Sequence, residues 1–598
     1  MSPTDKQTRR LHLVRGTPNP NGARDAELYL LKGDAATEPV DGITCDDGVS
    51  FPPAWQYDHQ PFRLKVLHFN DLHGNISQVS RRYGNNPIFS RMVSYIGQAR
   101  MAAEHTPNGA VLVFSCGDDI IGSPYDTLVG AAPNSYQVHA GYHFYSHAGV
   151  DAGLLGNHEF DLGTRLLAHA IRTDAHFPLL SANLSNVPSL KELYSPAAIF
   201  VVKGLRVGVI GLTTPAEMRI REGAGSAILN PLPIAQNLVP ALKPLTDVLI
   251  ILSHLGKSLN SATAPVRDAG DMELANSLPY GSVDLIIGAH THDAMNETGL
   301  QIENVVNGIP IVQAGYGGRY LGEAHIAVRK APAVLDAHLN FTANMPVDET
   351  FERAFVEPLL EKIQPVLKQP LGRVTVGREI IGDAVCDDCA YGESALHNLI
   401  TDGLLEQYRA LGNTVNFAVL DSAGLRADLE PDSELTYGDW LRVMPYADTL
   451  VVRQIGGAEL KALIQDNARR IDISGQPHID RGFLHFSQEI RYVVRMGERR
   501  SQITAEDITV NGVPIEQLLD DNFTFICTSF LRGFAARWEE QTAKEMALFI
   551  INARVGKGSD TGLFVRDLML EHLKKHGGIT EPAGARHDGR LQVAPSGA

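Results

Sequence analysis

Apolar runs that stop abruptly at Asp, His or Asn recur through the first half of this chain, and they constrain its fold more than any other feature. The pattern centres on Gly156-Asn157-His158-Glu159-Phe160-Asp161, which follows the short run Ala152-Gly153-Leu154-Leu155. Such a run reads as the end of a strand, and the polar residues then emerge where the strand meets a turn, the usual place for chemistry in an α/β sheet. Asn157 offers a side-chain carbonyl to a cation. His158 can give or take a proton, and Asp161, three residues on, can fix its tautomer. Alone, this hexapeptide is an ordinary polar turn. Its weight comes from the other strand ends.

Leu64 to Phe69 reads as a strand that releases Asp71 and His73, which are two residues apart and therefore share a side in extended backbone. A helix follows over 88–103. Val111 to Ser115 is the next strand, ending in Cys116-Gly117-Asp118-Asp119, and a helix around Thr164 to Arg172 comes after the central hexapeptide. The run Arg206 to Leu212 is another strand. Asp247 to Leu252 stops at His254, and Asp284 to Gly288 stops at His290 and His292. Six strand-like runs with intervening helices are consistent with a largely buried sheet covered on both faces.

Residues 1–62 form an extension without an assignable role, although Ala26 to Leu31 has the pattern of one strand. A charged helical stretch over 346–370 reads as a linker. A second domain spans 371–580, with a helix at Ser394 to Arg409 and strands at Asn416 to Leu420 and Thr449 to Ile455. Residues 581–598 read as a polar tail.

Collected, the strand ends present Asp71, His73, Asp118, Asn157, His254, His290 and His292. Two carboxylates, one amide and four imidazoles suit borderline divalent ions such as Mn, Fe, Co or Zn rather than Mg or Ca. Seven ligands exceed one ion but suit two that share a carboxylate, and Asp118, on a central strand, is the bridging candidate. The chain's formal charge of -17 argues against nucleic acid or an anionic membrane as partner. It does not exclude a phosphate substrate, because two divalent ions reverse the field locally. Such a centre sharpens bound water into hydroxide and steadies a leaving oxygen.

No apolar run is long enough to span a membrane, and the N-terminus lacks the apolar segment of an export signal. The chain as written therefore reads as cytoplasmic, with periplasmic or secreted as the alternative. Five cysteines make no disulfide framework, and Cys386 and Cys389 lack the second pair that a structural zinc needs.

The set DLHGN, GDD, GNHEFD, SHLG and GAHTHD resembles the calcineurin-like metallophosphoesterases. With the second domain, residues 63–578 resemble the two-domain 5′-nucleotidase and UDP-sugar hydrolase family. The resemblance implies an α/β fold, with a β-sandwich flanked by helices over 63–345 joined by the linker helix to a smaller α+β substrate-binding domain. It implies that Asp71, His73, Asp118 and His292 hold one metal and Asp118, Asn157, His254 and His290 the other. His158 with Asp161 is then the catalytic dyad.

In the family a glycine-rich loop ending in arginine anchors the substrate; here it runs from Asp421, where Asn is usual, to Arg426. Tyr446 and Phe530 match the aromatics that sandwich a base. A Gly-Gly-Asp-Gly stretch and a partner arginine are missing. The implied activity is metal-hydroxide attack on nucleoside 5′-monophosphates or related nucleotides. The competing readings are a UDP-sugar or 2′,3′-cyclic-nucleotide phosphodiesterase, a hydrolase of a non-nucleotide anion, and a binding protein that has lost the chemistry.

Overall fold

The apolar runs of the first half pair into two sheets. The computed structural model describes residues 11–35, 42–46, 50–80, 84–121, 123–130, 132–215, 227–257, 270–377, 392–421, 425, 429–444, 448–469, 471, 483–528 and 558–595. The chain divides into two units, Met1–Ile363 and Gln364–Ala598.

In the first unit, a six-stranded sheet runs in the order Pro332–Phe341, Tyr320–Val328, Phe62–Phe69, Gly109–Ser115, Ala152–Leu154 and Leu179–Leu180. Its last four strands are parallel to one another. The facing nine-stranded sheet contains Leu205–Thr213, Val248–His254, Leu285–Ile287 and Ile309–Val312 as a parallel block. Residue alternation explains why these strands read as unbroken apolar runs. Val248, Ile250 and Leu252 point between the sheets, against a core shared with Leu64, Val66, Leu112 and Phe114. Leu249 and Ile251 point outward, to Leu238 and Val239 of the Pro231–Leu242 helix. Both faces of the strand are therefore buried. The fold is an α/β sandwich flanked by helices.

Two segments depart from the reading of the sequence. Within the supposed extension, Glu27–Lys32 pairs with Ala197–Val202, and His12–Gly16 pairs in turn with Glu27–Lys32, so both belong to the nine-stranded sheet. Pro18, Pro20, Pro52 and Pro53 break up the surrounding pattern and hide this from inspection. The supposed tail carries a strand, Leu591–Ala594, parallel to Ile490–Arg495. Beside it, Arg590 is buried and pairs with Asp402 at 2.7 Å and Asp588 at 2.8 Å. A polar tail is docked by ion pairs, which apolar periodicity does not report.

In the second unit a five-stranded sheet runs in the order Leu484–Phe486, Phe417–Asp421, Asn522–Thr528, Thr449–Gly456 and Ser559–Phe564. It too is covered on both sides, with Ala418, Leu420, Leu450 and Ile526 in one core and Phe417, Val419, Val451 and Phe525 in another.

One buried ion pair in the first sheet gives a testable stability. Glu323 receives Lys65 Nζ at 2.7 Å, His325 Nε2 at 2.5 Å and the Tyr95 hydroxyl at 2.7 Å. Burial alone would raise its carboxyl, but the hydrogen bonds from His325, Lys65 and Tyr95 outweigh that and hold it down to about 2. A carboxyl depressed from about 4.5 stabilises the fold above that pH, and the contribution is lost as pH falls toward 2. Glu323→Gln should therefore cost about 2–3 kcal/mol at pH 7, and well under about 1 kcal/mol near pH 2. Urea denaturation of variant and parent at both pH values checks this; an equal gap at both would refute it.

Candidate metal centre

The strand ends from the two sheets meet at one edge of the sandwich. Asp71 and His73 follow Phe62–Phe69, Asp118 follows Gly109–Ser115, and Asn157 and His158 follow Ala152–Leu154. His254 closes Val248–His254, and His290 and His292 follow Leu285–Ile287. All seven expected metal ligands and the expected dyad therefore share one locality.

The local backbone differs from the extended form read from the sequence. Asp71, His73, Asp118, His290 and His292 have φ of 49°, 47°, 55°, 74° and 60°. Each leaves its strand through a left-handed residue, which costs of order 1–3 kcal/mol in a non-glycine. Five such residues around one spot indicate a geometry imposed by function. Ile121, with φ 66°, is the most strained because it is β-branched. Its carbonyl accepts from His73 Nδ1 at 2.9 Å and so leaves His73 Nε2 with its lone pair toward the centre. The Cys116 carbonyl treats His254 the same way, accepting from Nδ1 at 2.6 Å.

Three overlapping groups of donor atoms result: Asp71, His73 and His292; Asp118, His254 and His290; and His73, Asp118 and His158. Asp118 belongs to two of them. Asp71 Oδ1 lies 3.5 Å from His292 Nε2 and 3.8 Å from His254 Nε2, which makes it a second candidate bridge that sequence position did not suggest.

The atoms fit divalent ions. Asp71 Oδ1 and Asn157 Oδ1 are buried acceptor atoms with no hydrogen-bond partner, and His254 Nε2 faces Asp118 Oδ2 at 3.0 Å. Unpartnered lone pairs in a dry interior are costly unless a cation collects them. Burial works to lower His254, but the charges of Asp118 and Asp71 outweigh it and carry it up to about 10, a measure of how negative the centre is. His73, where burial dominates, is pushed down to about 3, and His290, through burial and the neighbouring His254, to about 4. Both imidazoles are therefore neutral, as ligation requires.

His158 stands at the rim, its side chain one-fifth exposed at 20%, and its Nδ1 lies 2.7 Å from Asp161 Oδ2. Its backbone N–H donates to Asp118 Oδ1 at 2.9 Å, which ties the dyad to the ligand set.

Reasoning from sequence missed three supports. Glu159 Oε2 accepts from the Asp118 and Gly156 N–H groups at 3.0 and 2.6 Å, and Oε1 from Asp119 N–H at 2.7 Å, clamping two strand ends together. Burial and the charges of Asp119 and Asp118 push its carboxyl up to about 8. Asn70 donates to Asp71 Oδ2 at 2.7 Å and to the Gly315 carbonyl at 2.6 Å. Tyr316 stacks on His292 at 4.8 Å and 17°. Glu159 and Asn70 adjoin motif residues, which was the available signal; Tyr316 gave none.

Of the expected substrate contacts, Asp421 is buried at the end of the Phe417–Asp421 strand in the second unit. Arg426, Tyr446 and Phe530 lie outside the described residues, as do Cys386 and Cys389.

Comparison with known proteins decides the family. Residues 64–294 match the calcineurin-like phosphoesterase family, and residues 370–537 match the 5′-nucleotidase C-terminal domain. The chain belongs to the two-domain 5′-nucleotidase family. As a member of the 5′-nucleotidase family it is a metal-dependent phosphoester hydrolase. It is 27% identical over 447 residues to a 5′-nucleotidase of Vibrio cholerae, covering 69% of this chain and 77% of the relative. It is 28% identical over 453 residues to the protein UshA of Escherichia coli, covering 68% and 76%. Among solved structures, it resembles a 5′-nucleotidase precursor from Thermus thermophilus with a TM-score of 0.61 and 25% identity, over 89% of this chain and 99% of that one. Among the described residues, no helix is long and apolar enough to cross a membrane.

Proposed function

We propose that this hydrolase releases phosphate from nucleoside 5′-monophosphates or closely related nucleotides, at two divalent ions of the Mn, Fe, Co or Zn type. Asp71, His73, Asp118 and His292 would hold one ion, and Asp118, Asn157, His254 and His290 the other. The observation that carries the reading is the pair of buried, unpartnered oxygens on Asp71 and Asn157, gathered with His254 beside a histidine–aspartate dyad. Such ions supply a nucleophile at neutral pH and offset charge on the phosphoryl oxygens.

The protein's own groups do the rest. The Asp161 carboxylate accepts the Nδ1 proton of His158 and fixes its ring, so that Nε2 is the nitrogen available to the substrate. Partly exposed at the rim, His158 can donate to the transferring group or protonate the leaving oxygen. The strained loops hold the donors in place before substrate arrives, so no reorganisation accompanies the reaction.

Substrate recognition falls to the second unit, through Asp421, Arg426, Tyr446 and Phe530. The motif around them lacks the partner arginine and part of the glycine-rich loop, so base discrimination should be loose. A phosphate-release screen over nucleoside monophosphates, sugar nucleotides and cyclic nucleotides, with Mn or Co, tests the proposal. Nucleoside monophosphates should lead with little base preference; release from none of the nucleotides would overturn it. Stacking on an aromatic is worth about 1–3 kcal/mol per base. Tyr446→Ala and Phe530→Ala should therefore raise KM for nucleotides by roughly 5- to 100-fold and leave a small aryl phosphate nearly unaffected. Equal losses on both substrates would mean that the rings only support the fold.

A further inference from the structure

We propose that the second unit carries a transition-metal site of its own, formed by His572 and His576 on one helix and Glu406 on another. The two histidines stand four residues apart on the Val565–His576 helix, so their rings share a face. The Ala395–Ala410 helix brings Glu406 to that face. Glu406 Oε2 lies 3.2 Å from His572 Nδ1 and 3.3 Å from His576 Nε2. With bonds of about 2.0–2.1 Å, neighbouring ligands of a tetrahedral zinc-type ion stand about 3.3 Å apart. The spacing matches.

The tautomer of His572 points the same way. The residue is buried, and its Nε2 donates to the Ala583 carbonyl at 2.9 Å. Ala583 is itself held by hydrogen bonds to the Thr580 carbonyl and hydroxyl at 3.0 and 3.2 Å. The lone pair of His572 Nδ1 is thereby turned toward Glu406 Oε2, and this buried atom has no hydrogen-bond partner. Two lone pairs facing each other repel unless positive charge sits between them. Giving one N–H to a backbone carbonyl while aiming the other nitrogen at a shared point is how metal-ligating histidines are set. A proton on His572, with His576 Nε2 donating to the same oxygen at 3.3 Å, is the metal-free arrangement of these three groups, and metal loading distinguishes it from an ion held by all three.

The surroundings suit a small cation. The site lies at the C-terminal end of its helix, which Gly577 caps in the left-handed conformation, and helix carbonyls favour positive charge there. His576 and Glu406 are partly exposed, so an ion can enter and water can complete the shell. Lys575 pairs with the other oxygen of Glu406 and leaves Oε2 to the histidines. Leu573 stands where the His-Glu-x-x-His helix of zinc hydrolases carries its general base. Among the described residues, no general base of that kind adjoins the ion, and the role the two helices suggest for it is a cross-link between them. Its donors favour Zn, Co, Ni or Cu over Mg or Ca.

Elemental analysis of the full-length protein after zinc loading and dialysis tests the assignment, alongside His576→Ala and Glu406→Gln. Each variant should hold one zinc fewer per chain while kcat on nucleotides stays unchanged. The cobalt-loaded parent should show visible bands of four-coordinate cobalt that His576→Ala lacks. Both substitutions are at partly exposed side chains, and matching circular dichroism separates loss of an ion from loss of the fold. Equal zinc content in parent and both variants would overturn the site and leave an ordinary imidazolium–carboxylate pair.

Discussion

Replacing His158 by asparagine should lower turnover by roughly two to four orders of magnitude, the range expected when a positioned proton donor is removed. The metal content should not change. His158 holds its partner Asp161 at 2.7 Å and stands at the rim, whereas His73, His254, His290 and His292 crowd the carboxylates. Asparagine preserves the backbone N–H that donates to Asp118, so the ligand set is undisturbed. Elemental analysis and steady-state kinetics on the same preparation check both halves. Retained turnover in a metal-replete variant would falsify the catalytic role. Lost activity together with lost metal would place His158 among the ligands instead.

Asp118→Ala should be more damaging. Asp118 borders His73 and His158 on one side and His254 and His290 on the other. Its Oδ2 lies 3.0 Å from His254 Nε2. Removing it leaves buried imidazoles around an anion-poor hole, so both ions should be lost together and activity should fall below roughly a thousandth. His73→Ala, by contrast, should chiefly disturb one ion. The measurement is metal per chain: a fall of two for Asp118→Ala against one for His73→Ala. Loss of a single ion from Asp118→Ala would remove it as the bridge and turn attention to Asp71.

Chemistry was more legible in this sequence than architecture. Asp71, Asp118, His254 and His290 could be named because each follows an apolar run, and residue type at a strand end is a local property. That the runs belong to two sheets was not local. Val248 and Leu249 look alike in sequence, yet one faces the inner core and the other the outer helices. Glu159 was legible only as a neighbour, since its partners, the N–H groups of Asp118 and Asp119, lie 41 and 40 residues away. Arg590 was invisible for a related reason: a docked charge looks like a solvated one until its partners are known.

The placement of Glu27–Lys32 also bears on how the chain is made. This strand and His12–Gly16 can form a hairpin early, but the neighbour on the other edge, Ala197–Val202, ends 170 residues further along. At typical rates of synthesis, that interval lasts on the order of 10–30 s. Throughout it, a hairpin with Leu28 and Leu30 on its flank waits with an open edge, the kind of surface that pairs with the wrong chain. Translation speed and early binding by a holdase chaperone should therefore govern the yield of soluble protein. Trimming the chain before Phe62 would relocate the hazard, leaving Ala197–Val202 as a permanent unpaired border of the six strands that remain.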